Sequence, residues 1–470
     1  MRNFNTYETY KTYRSYRRPL RSAYILMQPE CNPASIEHML TVGRGGAIIF
    51  LLGTDTSPYR EMILDHCLHD KAYDTQIEDS RACYLYPLIR RSPDRDFYRD
   101  AILQALRDAD DESSVSQLFD FAVMFARDGD EGARFAIREK FDKHDLREIY
   151  PGATSLIEID GIDGLLHVLD YMGSDSDVTD RYNNAYHFIY HTEDRLGEEV
   201  TRKALADAYE KNANIRIYLA SISEQYTPSS ASDDIAKSHI QENLRKNQNE
   251  KISSMTWQEI RRSSNSEQMA MFWSRSASDD ELVEAANDII YEKDSLRLSR
   301  YLRIFTKRQF PLNPKILIDF INNSNSRVSN AALQALTLIT NEDIRALFEC
   351  LVQSPEWSDS AVGLLRSNYR EGDHLIIEKL LEQENDVHQL HSLSCELLDV
   401  YKHNPDQNAA KSLLFVYENN PCSHCRLGSV EQMRALDQLP DWIVNECVYD
   451  AEESLRKMAQ ELLADNEING

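Results

Sequence analysis

Asn325-Ser326-Arg327-Val328-Ser329-Asn330-Ala331-Ala332-Leu333-Gln334-Ala335-Leu336 places Val328, Ala332 and Leu336 four residues apart. Residues at i, i+4 and i+8 share one face of an α-helix. A large, small, large order on that face lets a second helix approach over the alanine, while the flanking side chains fill the space on either side. The order recurs four more times: Trp357, Ala361, Leu365; Leu390, Ser394, Leu398; Cys425, Ser429, Met433; and Leu455, Ala459, Leu463. The first positions are 29, 33, 35 and 30 residues apart. One such helix per period of this length is the mark of stacked helical repeats. Apolar stretches at 316–320, 344–351, 375–381 and 409–417 supply the second helix of each period.

The quoted stretch resembles the second helix of a HEAT repeat, whose pattern runs D-x-x-V-R-x-x-A-x-x-A-L. Asn325 stands in the place of the leading Asp, and the Val-Arg order is reversed as Arg327-Val328. Residues 450–463, with Leu455, Arg456 and Ala459, are similar. The resemblance is good over about 280–470 and weaker over 33–225, where the small residue is less regular. It implies an all-α fold, an α-solenoid of stacked antiparallel helix pairs. It also implies a non-catalytic scaffold that holds a protein or peptide along its surface. HEAT-like folds include phycobilin lyases and alkylpurine DNA glycosylases as well, so a HEAT-like enzyme of either type is the alternative.

Four regions are expected: a tail at 1–30, helical repeats over 31–225, a polar linker or helical insertion at 226–280, and HEAT-like repeats over 281–470. Over 33–225 helical spacing shows at Tyr59, Met62, Ile63 and Cys67, behind a Ser57-Pro58 start that reads as a helix cap. It shows again as a stripe of Phe97, Ala101, Ile102, Ala105 and Leu106, and over 131–141. Segments 82–89, 115–125 and 162–171 have broader apolar faces. Residues 226–280 are rich in Ser, Asn and Gln, including Ser229-Ser230-Ala231-Ser232. Helices resume behind Ser278, which can form a capping box with Glu281.

Composition agrees with helices. Only 15 Gly and 14 Pro occur among 470 residues, and hydrophobic residues make up 42%. The net charge is −26, with 52 Lys and Arg against 78 Asp and Glu. That balance disfavours general nucleic-acid binding, which needs a basic face. It favours a basic protein or peptide as partner. The first 30 residues differ: six basic residues stand against two acidic ones, giving +4 and leaving −30 for the rest. Tyr7, Tyr10, Tyr13 and Tyr16 recur there every third residue among the cations. Such a segment could stack on nucleic acid, or it is a terminal tail. No stretch approaches the roughly 18 apolar residues of a membrane span. Eight cysteines without framework spacing fit free thiols and a cytoplasmic setting.

Chemistry-bearing motifs are few. Cys422-Ser423-His424-Cys425 is a C-x-x-C whose thiolates could share a zinc ion, with His424 or Cys447 as further ligands if the fold brings them in. Pro421-Cys422 reads as a helix start, where a thiolate is stabilised. Cys425 also falls on the core position of the repeat, so packing is the simpler role. His187 and His191 lie i, i+4 on one helix face, with Phe188 where a metalloprotease motif has Glu, and an amphipathic packing face explains them as well. Asp65, His66, His69 and Asp70 cluster at a helix end, where histidine suits the dipole. Asp175, Asp177 and Asp180 fail the calcium-loop pattern. Gly43-Arg44-Gly45-Gly46 lacks a phosphate-loop signature and reads as a helix-breaking turn. No catalytic residues and no cofactor are expected.

Overall fold

The computed structural model describes residues 33–75, 77–109, 112–143, 149–174, 186–222, 252–263, 267–354 and 357–469. The expectations for residues 1–30 and for Asp175, Asp177 and Asp180 lie outside them. Every regular element among the described residues is helical, and no helix of these residues is long and apolar enough to cross a membrane. The chain divides into two compact units, one of residues 1–229 with 440–470 and one of 230–439.

The first unit opens with α1 Pro33–Val42, α2 Gly45–Gly53, α3 Arg60–Leu68, α4 Ala82–Arg91, α5 Arg95–Asp108 and α6 Glu112–Arg127. It continues with α7 Glu131–Lys143, α8 Ile149–Asp160, α9 Ile162–Ser174, α10 Tyr186–Leu196, α11 Glu198–Lys211 and α12 Ala213–Ser221. The second holds α13 Trp257–Arg262, α14 Glu267–Ser274, α15 Asp279–Tyr291, α16 Ser295–Ile304, α17 Lys315–Asp319 and α18 Ser326–Leu336. There follow α19 Glu342–Leu351, α20 Ser358–Ala361, α21 Asp373–Gln383, α22 Val387–His403, α23 Ala410–Asn419 and α24 Ser423–Ala435. The last pair, α25 Asp441–Cys447 and α26 Glu453–Asn469, belongs with the first unit.

Most helices pack on near neighbours in the chain; the last pair, α25 and α26, instead packs on the start of the first unit. In the first unit α6 packs on α7 and α8, and α9 on α8 and α12. In the second, α16 packs on α14 and α18, and α24 on α22 and α23. The five small residues of the repeat, Ala332, Ala361, Ser394, Ser429 and Ala459, are all buried. Their large neighbours Val328, Leu336, Leu365, Leu390, Cys425, Met433 and Leu455 are buried too, while Trp357, Leu398 and Leu463 are half-buried. Helix ends follow their caps: Asn325 and Asn341 accept N–H bonds at the starts of α18 and α19, and Ser278 with Glu281 closes a capping box on α15.

Side-chain bonds tie residues about 30 positions apart. In the first unit Arg99 reaches Asp130 at 3.4 Å, Arg107 reaches Glu139 at 3.1 Å and Arg127 reaches Glu158 at 2.6 Å. In the second, the Trp257 indole donates to Asp288 at 2.8 Å and the Asn368 amide to the Ile339 carbonyl at 2.9 Å. Arg366 meets Asp399 at 2.8 Å, and the Gln432 amide donates to the Leu398 carbonyl at 2.7 Å. These separations run from 29 to 34 residues. Partly exposed ion pairs contribute little energy.

Several local expectations need correction. Ser57 does not cap a helix: its N–H and hydroxyl donate to Asp55, and a 3-10 turn at Ser57–Tyr59 precedes α3. The buried face of α5 is Tyr98, Ile102, Leu103 and Leu106, while Phe97 is exposed beneath the Arg60 guanidinium, 4.5 Å from its ring centroid. Of the two readings of 226–280, its described residues fit the helical insertion: α13 and α14 lie there, with Trp257 and Trp273 fully buried and their rings 5.4 Å apart.

Ala332→Leu should lower stability by about 1–3 kcal/mol, because the helix face has no room for three more carbons. Chemical denaturation of the second unit's transition measures it. Ser329, one turn behind and also buried, is a poorer site because its hydroxyl bonds the Ser326 carbonyl.

Candidate metal centre

Helices α22 and α24 bring three sulfurs and an imidazole together. Asp386 caps α22 through the N–H groups of His388 and Gln389, and one and two turns further on stand His391 and Cys395. Cys422 is the N-cap of α24, and Cys425 lies in its first turn. The Asn420 side chain is fully buried and joins the two parts. Its carbonyl accepts the Cys422 N–H at 2.9 Å, and its amide donates to the Ser394 hydroxyl at 2.7 Å.

The ligand atoms of His391, Cys422 and Cys425 all lie within 4.8 Å of one another. Cys425 Sγ is 3.5 Å from His391 Nδ1 and 3.8 Å from Cys395 Sγ, and Cys395 Sγ is 3.7 Å from His391 Nε2. Cys422 and Cys425 are buried, whereas Cys395 is exposed at the rim. The sulfurs are too far apart to be bonded, since a disulfide spans about 2.05 Å. Hydrogen bonding from the Cys425 thiol, together with the N–H groups of Cys425 and His424 at the helix start, holds Cys422 down at about 5. The same thiol lowers Cys395, and its bonds to both sulfurs push Cys425 up, so Cys425 keeps its proton.

The C-x-x-C motif therefore joins this group, but the partners differ from those the motif itself names. His424 and Cys447 are not in it; Cys447 sits in α25, in the first unit. His391 and Cys395 take their place. His187 and His191 stay on α10, and among the described residues no third ligand gathers with them. Burial lowers His191, which favours a neutral ring. His66 is buried in the last turn of α3 and pushed down to about 4 by burial, so it is neutral at pH 7 and does not act as a cation on the helix dipole. His69 is exposed and lies 2.9 Å from Asp65.

Two other clusters are structural. Gly43 and Arg44 form a turn, with Gly43 at a φ of 81°, while Gly45 and Gly46 begin α2; the last helices dock here. Arg44 forms a buried two-pronged pair with Glu446 at 2.8 and 3.1 Å, and Ala451 N–H donates to the Gly43 carbonyl at 2.9 Å. The basic pairs Arg261-Arg262 and Lys307-Arg308 do not build a free basic face: Arg261 meets Asp288 at 3.1 Å, and Arg308 donates to the carbonyls of Ser274 and Ala277.

Asp120 offers a titration test. It accepts from Ser80 at 2.5 Å, yet burial pushes its carboxyl up to about 7. A carboxyl near 4 in the unfolded chain and near 7 in the folded one binds more protons when folded, so stability falls as pH rises between those values. Asp120→Asn should remove that slope, a difference on the order of 4 kcal/mol between pH 4 and pH 7. Denaturation midpoints of both proteins across that range check it.

No family model, no curated protein and no solved structure matches the chain.

Proposed function

We propose that this chain is a HEAT-like helical-repeat scaffold that binds a basic protein or peptide partner. The observation that carries the reading is the ladder of side-chain bonds between residues 29–34 apart, in both units. Structures in which each helix pair rests on the next are quasi-one-dimensional, and they offer long surfaces to partners. The buried small residues at one helix position per period support the same reading.

Charge supports the kind of partner. Helix α15, Asp279–Tyr291, carries five acidic residues and no basic one. Its outer face exposes Val283, Ile290 and Tyr291, and Leu296 follows at the start of α16; Tyr291 is 77% and Leu296 61% exposed. Apolar anchors beside carboxylates suit an amphipathic basic segment, drawn in electrostatically and held by apolar burial. The test is capture of partners from the source cell by the wild type and by a Tyr291→Ser/Leu296→Ser double variant, at low and raised salt. A basic protein retained at low salt, lost as salt rises and lost by the variant is the expected result. An acidic or salt-insensitive partner bound equally by both proteins contradicts it.

A further inference from the structure

We propose that His391, Cys422 and Cys425, closed by Cys395, bind one zinc(II) ion between α22 and α24. This is a site apart from the partner-binding surface.

The spacing of the donors is that of a zinc site. Ligand bonds of about 2.3 Å to sulfur and about 2.0–2.1 Å to nitrogen, at tetrahedral angles, place two sulfurs about 3.8 Å apart and a sulfur and a nitrogen about 3.6 Å apart. The structure has 3.8 Å between the Cys395 and Cys425 sulfurs and 3.5 Å between Cys425 Sγ and His391 Nδ1. Cys422 falls within 4.8 Å of both His391 and Cys425. Cys395 lies outside that tightest group: its sulfur is 3.7 Å from His391 Nε2 whereas Cys425 meets Nδ1, so its side chain has to move to become the fourth ligand.

Donor type selects the metal. Three soft sulfurs and one imidazole suit zinc, and an all-protein set of four makes a closed structural site rather than a catalytic one. The supporting shell is present as well: buried Asn420 fixes both the Cys422 backbone and the Ser394 hydroxyl on the opposite helix. Exposed Cys395 supplies the entry path for the ion. On binding, each coordinating thiol forms a sulfur–zinc bond and gives its proton to solvent; no oxidant or reductant is required.

The test uses the full chain, reduced and stripped with a chelator, then titrated with cobalt(II) and with zinc(II). One zinc per chain by elemental analysis is expected. Cobalt should give the intense visible bands of tetrahedral thiolate coordination, and zinc should bleach them. Zinc should also raise the thermal midpoint of the wild type. Cys422→Ser should weaken zinc binding by at least about 100-fold. Because Cys425 is a core residue whose loss can unfold the unit, Cys395→Ser at the exposed rim is the second variant. It should stay folded by circular dichroism and show weaker sulfur-to-cobalt charge-transfer absorption. A reduced, folded wild type that takes up no zinc and gives no tetrahedral cobalt spectrum overturns the proposal. So does a Cys422–Cys425 disulfide forming in air with no metal uptake by the reduced protein, which would mark a redox pair instead.

Discussion

Arg44→Ala is expected to lower stability by about 3–5 kcal/mol, the cost of leaving a buried charge without its partner. Glu446 has no exposed side-chain surface and receives two bonds from the Arg44 guanidinium. The two residues are 402 positions apart in the chain, so the loss should fall on the docking of α25 and α26. Gly45 makes the contact closer still: a Cβ there would run into the Glu446 carbonyl. Urea denaturation with hydrogen exchange on residues 440–469 reads both effects. Arg44→Met combined with Glu446→Leu should recover most of the stability, since apolar pairs of similar volume replace buried ion pairs at little or no cost. An Arg44→Ala protein as stable as the wild type would show that the pair does not hold this segment.

Arg345→Ala should cost a similar amount, about 3–5 kcal/mol, in the second unit. Its guanidinium bonds both Asp373 oxygens at 2.6 and 2.9 Å, and Asp373 is buried at the first turn of α21. The Asp373 carboxylate also accepts the Arg370 N–H, and a third guanidinium bond runs to the Asn368 carbonyl. Removing Arg345 therefore frees one helix start and one loop together. The outcome should differ in place from that of Arg44→Ala: exchange should rise over 342–383 while residues 440–469 keep their protection. A stability change below about 1 kcal/mol would contradict the buried-pair reading.

The helical class and the close-approach positions were legible because they rest on side-chain size at fixed spacing. Ala332, Ala361, Ser394, Ser429 and Ala459 could be read as close-approach positions from the sequence, and all five are buried. The Ser278 capping box was equally readable, being local chemistry over four residues. Phe97 was misplaced because a five-residue stripe leaves helix rotation uncertain by one residue; Tyr98 takes the core position while Arg60 covers Phe97. The docking of α25 and α26 on the Gly43 turn carries no local signal, since Arg44 and Glu446 each look like surface charges in sequence.

The cysteine–histidine cluster was half legible. Cys422 and Cys425 form a visible motif, and the partners sought for them were the nearest ones by type, His424 and Cys447. The residues that do gather with Cys425 lie further off in sequence: Cys395 is 30 residues before it and His391 is 34 before it.

Hydrogen exchange on Ala332→Leu tests neighbour-to-neighbour stacking most directly. If each helix pair is held by the adjoining ones, protection should fall over 295–351, fade through 373–403, and stay unchanged over 410–435. Equal loss of protection from 257 to 435 would contradict it, because a single shared core answers a local wedge as a whole.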